Sequence, residues 1–491
     1  MSEEKTRTED EPADRVQTND PSRIGFVRQT IEENFPGLWP AVDMALSVSA
    51  TLLLAKNTNP TALICVGGAS SSKTTVADMF ADADVTVSDQ PEPHNLFYLS
   101  DSFSPAAFVS QAASRRTNEL AKVDLLPRIR HRVLVTPELA PVFRGKDDEL
   151  VKTFKIITRV LDGHGLKTDS GTHGARGYRG DYLFAWIGAT TPFEDNVWRV
   201  MGQLGSRLFF QLMGDEDEEI TVEMLVESED QGDYSERLGA CKEVVQAYLG
   251  DLFTRHGGIK SVQWDAKKDP LTVKETIAKL AKLLAAMRSE PTKEADPHHD
   301  HHGYVPAKEE KPWRANAVLR NLVRGHALVH GRTELALEDL PCIASVAVAS
   351  MPPALGRVFT ALVNKAGEPL TVGECKAALG VRHLETARKV MEELDRRGVA
   401  SYEKLGLGLP GTITFHPRWS WCGTEEFAAL LRGVPVKNPG VCVEGVSDGV
   451  TNDLVERQKE REEKRSTDPV HTHTPEKMTG SQELLDLREI Q

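Results

Sequence analysis

The chain has 491 residues, of which 40% are apolar and 27% charged, with a net charge of -14. Such a length predicts about three structural units with sizeable cores, and the charge excludes a polycation that coats nucleic acid, so any nucleic-acid contact must come from a local basic patch. The cysteines (Cys65, Cys241, Cys342, Cys375, Cys422 and Cys442) are scattered with no CxxC pair, which argues against a disulfide scaffold or a cysteine zinc site and suits a reducing cytoplasm.

Residues 1–22 are charged, carry almost no large apolar side chains, and read as a disordered segment without a secretory leader. AVDMALSVSATLLLA (41–55) is interrupted by Asp43 and falls short of the roughly 20 residues of a bilayer span, so it predicts a buried helix and no membrane partner. From 23 to 215 strand patterns alternate with helical ones: TALICVGG (61–68), NLFYLSD (95–101), HRVLVTPE (131–138), DYLFAWIGATT (181–191) and SRLFFQLM (206–213). This alternation predicts an α/β sheet covered by helices.

The first strand runs into Gly67, Gly68, Ala69, Ser70, Ser71, Ser72, Lys73 and Thr74, which fit the phosphate-loop pattern G-x-x-x-x-G-K-[ST] except that Ser72 stands where glycine is expected. Backbone N–H groups wrapped round phosphate oxygens, a helix N-terminus and a lysine charge are what a nucleotide needs. Thr74 supplies the hydroxyl for a magnesium ion, and Thr75 continues the set into the helix. Glu138 ends the 131–138 strand, where a carboxylate would orient the attacking water; before it stands Pro137 in place of the usual aspartate, with Thr136 as a weaker substitute. Thr190 and Thr191 end the 181–191 strand, where polar groups sense the γ-phosphate. In a ring of such modules Arg207, opening the next strand, would reach a neighbour's γ-phosphate; pairing with an acid is its bland alternative.

The segment 161–182, LDGHGLKTDSGTHGARGYRGDY, has turn residues flanking short extended pieces and carries Lys167, His173, Arg176 and Arg179. It predicts a basic hairpin that would grip single-stranded backbone, or else a mobile loop with no such role. Region 216–349 reads as helical, with Ile277, Leu280, Leu283 and Leu284 on one face and a polar linker at 289–312. The linker's PHHDHH run (297–302) reads as solvated rather than as a metal site. Residues 350–435 read as a winged helix: three helices, then two strands joined by a Gly/Pro-rich turn. Ala387, Val390, Met391 and Leu394 form the buried stripe of the third helix, while Arg382, His383, Arg388, Lys389, Arg396 and Arg397 give it a basic face for DNA. The charged segment 436–491 reads as disordered.

The order of Gly67–Thr74, Glu138, Thr190/Thr191 and Arg207, followed by a helical segment, resembles an AAA+ ATPase over about residues 23–420. RANAVLRNLVRGHALVHGRTELALEDLP, from Arg314, is similar to the lid of minichromosome-maintenance-type and related phage or plasmid helicases. That resemblance implies a sensor role for Arg314, with Arg320 as its alternate, and a homo-oligomeric, hexameric ring that binds ATP and Mg2+ in the cytoplasm. The expected activity is an ATP-driven motor on DNA: a helicase, initiator or helicase loader. The alternatives are a nucleotide-controlled DNA-binding switch with slow hydrolysis and an AAA+ protein remodeller.

Overall fold

The computed structural model describes residues 22–434 apart from 82–83, 90–91, 111–116, 171–173, 205–206, 215–220, 223–231, 290–309 and 405–410. In chain order its strands are β1 (Thr61–Val66), β2 (Thr86–Val87), β3 (His94–Asn95), β4 (Phe97–Leu99), β5 (Val133–Thr136), β6 (Lys167–Ser170) and β7 (Gly174–Gly177). They continue with β8 (Ala185–Thr190), β9 (Leu208–Leu212), β10 (Leu370–Thr371), β11 (Ala400–Glu403) and β12 (Thr412–Phe415).

The five strand patterns expected before residue 215 join one sheet in the order β4-β5-β8-β1-β9, and every pair is parallel. β1 and β8 are buried at every position, which is why both read as continuous apolar runs. Alternate residues serve opposite faces: Leu63 and Cys65 join one core, Ala62, Ile64 and Val66 the other. The second core is closed by the helices Asp147–Val160 and Asp195–Leu204. The first takes in the helices Trp39–Ala50 and Lys73–Phe80 and extends through Tyr234–His256, Leu271–Arg288 and Trp313–Val329. Ile277, Leu280, Leu283 and Leu284 lie within it, as their spacing requires.

The Trp39–Ala50 helix is buried over nearly its whole length, as expected for the apolar run at 41–55, and no helix among the described residues is long and apolar enough to cross a membrane. Its serines need no external partner, because the Ser47 and Ser49 hydroxyls donate to the Asp43 and Ala45 carbonyls at 2.7 and 2.9 Å.

Beyond residue 350 the helices Pro353–Asn364, Val372–Leu379 and Leu384–Arg396 pack against an antiparallel sheet, β10-β12-β11. Thr371 and Glu374 form a reciprocal cap at the start of the second helix, and Gly380 ends it at φ 66°. Ala387, Val390, Met391 and Leu394 are buried. The expected disordered segments 1–22 and 436–491 and the PHHDHH run lie, but for Ser22, outside the described residues.

Candidate functional site

Because the sheet is parallel, β1, β5, β8 and β9 all end at one edge, with Val66 level with both Thr190 and Leu212. The loop 67–72 leaves β1 there. Gly67 donates from N–H to the Thr190 carbonyl at 3.3 Å. A Cβ on Gly67 would sit 2.4 Å from Ser71 Oγ and 2.8 Å from the Met213 carbonyl, so only glycine fits. Ser70 and Ser72 both take the left-handed conformation, at φ 61° and 58°, and Ser72 caps the Lys73–Phe80 helix from it. The missing glycine is therefore compensated by strain rather than by a different loop path; a non-glycine residue there costs on the order of 1 kcal/mol.

Lys73 Nζ donates to the Gly68 carbonyl and to Ser71 Oγ. Partial burial lowers its pKa, while the Glu138 carboxylate acts in the opposite sense, so the two side chains sense each other across the edge. Gly68, Ala69, Ser70 and Thr74 are exposed, leaving the loop backbone and the Thr74 hydroxyl open to solvent. Thr75 is buried and its hydroxyl meets Tyr234 Oη at 3.0 Å, which ties the helix to Tyr234–His256.

Glu138 is exposed, and its Oε1 accepts from the Ala140 N–H at 2.8 Å. Thr136 does not substitute for the missing aspartate: it is fully buried and accepts from Trp186 Nε1 at 3.2 Å, turned into the core rather than to the edge. Thr190 is 1% exposed, and its Oγ1 has no hydrogen-bond partner among the described residues. A buried hydroxyl without a partner costs roughly 1–3 kcal/mol, a cost that a bound group within reach would relieve. Thr191, next along, is half-buried.

Arg207 and Arg314 lie elsewhere. Arg207 precedes Leu208, which is level with Ala62, so Arg207 sits at the starting edge of the sheet. At ~3.3 Å per residue it is roughly 20 Å from its own phosphate loop, beyond the reach of its side chain. Arg207 Nε and Arg314 Nη2 both bind Asp162 Oδ1, at 2.9 and 2.7 Å, and Arg159 reaches Asp162 Oδ2 at 3.2 Å. The two arginines expected to stabilise phosphate charge thus converge on a carboxylate that sequence reading missed, since nothing local in LDGHG distinguishes Asp162.

The 161–182 segment forms the expected hairpin: β6 pairs antiparallel with β7, Lys167 opposite Gly177. Lys167 and Arg179 are exposed, Arg176 is half-buried, and His173 lies outside the described residues. A Cβ on Gly177, at φ 107°, would approach the Leu166 carbonyl to 2.1 Å, so the hairpin root is tightly crossed. Beside it Arg159, His164, Arg179 and Lys260 line a cleft of about 530 Å³. His131, also missed from sequence, holds the root by bonding Asp89 at 2.8 Å and Asp181 at 3.2 Å, with Lys260 on Asp181 at 2.7 Å.

In the C-terminal part Arg382, His383, Arg388 and Lys389 are exposed together, Arg388 with Glu385 at 3.6 Å. Arg397 is buried and donates to the Met287 and Ser289 carbonyls, and Arg396 is half-buried beside Glu392. The chain matches no protein-family model and no curated protein sequence.

Proposed function

We propose that the chain is an AAA+-type P-loop ATPase that couples ATP hydrolysis to DNA. The observation that carries the reading is convergence: Gly67, Lys73, Glu138 and the partnerless Thr190 hydroxyl, spread over more than a hundred residues of chain, meet at one strand edge. β1 is flanked by the later strands β8 and β9, neither its sequence neighbour, and open α/β sheets bind ligands where the topology crosses over in this way. The exposed loop N–H groups and Lys73 would hold phosphate oxygens, and Thr190 would donate to the γ-phosphate. Mg2+ would be held by the Thr74 hydroxyl together with the phosphates, and it would neutralise developing charge. Glu138 would orient water. Arg207 and Arg314, remote from their own loop, would act on a neighbour's nucleotide in a ring. The Lys167–Gly177 hairpin and the Arg382–Lys389 face provide basic surface for single-stranded and duplex DNA, against a net charge that otherwise repels it.

A second reading, a nucleotide-controlled DNA-binding switch with slow turnover, is favoured by Pro137 and by the buried Thr136, which leave the metal one protein ligand short. Steady-state ATP hydrolysis with and without single- and double-stranded DNA separates the two. A motor is stimulated by DNA and loses at least ~100-fold of its turnover in Lys73→Ala and Glu138→Gln. Tight ATP binding without turnover selects the switch, and turnover indifferent to DNA selects a protein remodeller.

A further inference from the structure

Away from the nucleotide edge, the helices Trp39–Ala50 and Trp313–Val329 bring Asp43, His326 and His330 together. One ligand-type atom from each lies within 4.8 Å of the others. Asp43 and His326 are buried and His330 is half-buried, so the cluster is fixed by the core on one side and open on the other. His326 and His330 are four residues apart, which places both on one face of their helix.

The hydrogen bond at the far side of His326 decides what its near side can do. His326 Nδ1 is 2.6 Å from Asp339 Oδ1, and Asp339 is wholly buried, held also by the Ala336 N–H at 2.7 Å and by Arg332. Asp339 therefore holds the Nδ1 proton, and in the neutral ring the Nε2 lone pair faces outward. That lone pair points at a second carboxylate: Nε2 is 3.3 Å from Asp43 Oδ2. In the neutral ring two lone pairs at this distance call for a cation between them, and in the imidazolium a proton takes that place. His330 Nε2 adds a second such approach, 3.1 and 3.4 Å from the two Asp43 oxygens. The shortest separation fits an ordinary N–H···O bond, which reaches about 3.2 Å, and all three exceed the about 2.7–2.9 Å of a strong charge-assisted one. Ligands held at about 2.0–2.1 Å from a tetrahedral ion are separated from one another by roughly 3.3 Å, which the three values bracket.

We propose that Asp43, His326 and His330 form a site for a divalent transition metal of the zinc class, with Asp339 as the outer carboxylate that orients His326. The fourth position faces the open side, beside His330, where a water completes the tetrahedron. Such an ion clamps the helix lying against β1 to the helix that carries Arg314. It owes nothing to the ATPase reading.

The test is cobalt(II) and zinc(II) titration of the full chain in metal-free buffer, read by visible absorption for cobalt and by thermal unfolding for zinc. The histidines of PHHDHH (297–302) and of HTHT (471–474) would add background, so the parent carries His298→Ser, His299→Ser, His301→Ser, His302→Ser, His471→Ser and His473→Ser. One equivalent of tetrahedral cobalt, a rise in Tm with zinc that EDTA reverses, and loss of affinity by more than about 100-fold in both His330→Ala and Asp43→Asn are expected. His330 is half-buried, so its variant keeps the fold. An absent tetrahedral spectrum with a Tm indifferent to zinc and EDTA overturns the proposal and leaves His326 as an imidazolium between Asp43 and Asp339. A cobalt site undiminished in His330→Ala overturns it as well.

Discussion

At Ser72 the backbone holds φ 58°, a conformation that glycine adopts freely and serine does not. Replacing it with glycine removes on the order of 1 kcal/mol of strain but adds unfolded-chain entropy of ~0.4–1 kcal/mol, so Ser72→Gly is expected to leave the urea midpoint nearly unchanged. Ser72→Val, β-branched at positive φ, is expected to lower stability by about 2 kcal/mol, measured in the same unfolding series. A large stabilisation by glycine would show that the serine is not the strained element. The residues proposed to bind phosphate were legible because loop chemistry is local: Gly67, Lys73 and Thr74 lie within eight residues of chain. The partners of Thr75 and Arg397, namely Tyr234 and the Met287 and Ser289 carbonyls, are more than a hundred residues away, beyond any local pattern.

At the scale of elements, close approach of the helices Trp39–Ala50 and Trp313–Val329 depends on Gly325, where an added Cβ would lie 2.1 Å from the Ser47 carbonyl. Alanine normally improves a helix interior by about 1 kcal/mol over glycine. Here the contact is with backbone, which cannot swing aside, so Gly325→Ala is expected to destabilise by about 2–4 kcal/mol despite its better propensity. Chemical denaturation with an unchanged m-value would check it, and a stabilised Gly325→Ala would show that the two helices separate easily. Strand and helix existence followed from periodicity, but which helices touch did not. The apolar stripe of Leu271–Arg288 says that one face is covered, not by what.

For the whole molecule, two ion networks contribute to the response to acid. The His131 hydrogen bond and Lys260 hold Asp181 well below the usual carboxylate range, and Lys365 with the Thr371 cap brings Glu374 down to about 2. Both folded values lie below the unfolded ones near 4, so their stabilisation is complete above about pH 4–5 and is lost as pH falls through the folded values. Burial raises Glu310 and Asp395 and works against this trend without reversing it near neutrality. Urea midpoints are expected to fall between pH 7 and about pH 3, with a shallower fall in Asp181→Asn. The proposed ring belongs to the same scale. With Arg207 and Lys73 at opposite edges of the sheet, Lys73→Ala and Arg207→Ala are each expected to be inactive, while mixing them restores part of the ATPase rate. No recovery on mixing would place the arginine outside any shared site.

The sequence by itself determined the α/β alternation, the strand–loop–helix course through Gly67–Lys73 and the buried stripes, because each rests on backbone periodicity or on neighbours within a few residues. Only the tertiary structure decided that Arg207 and Arg314 share Asp162, that Thr136 turns into the core, and that Asp43 meets His326 and His330. Those are contacts across elements, fixed by how helices pack on the sheet, and no local pattern encodes them.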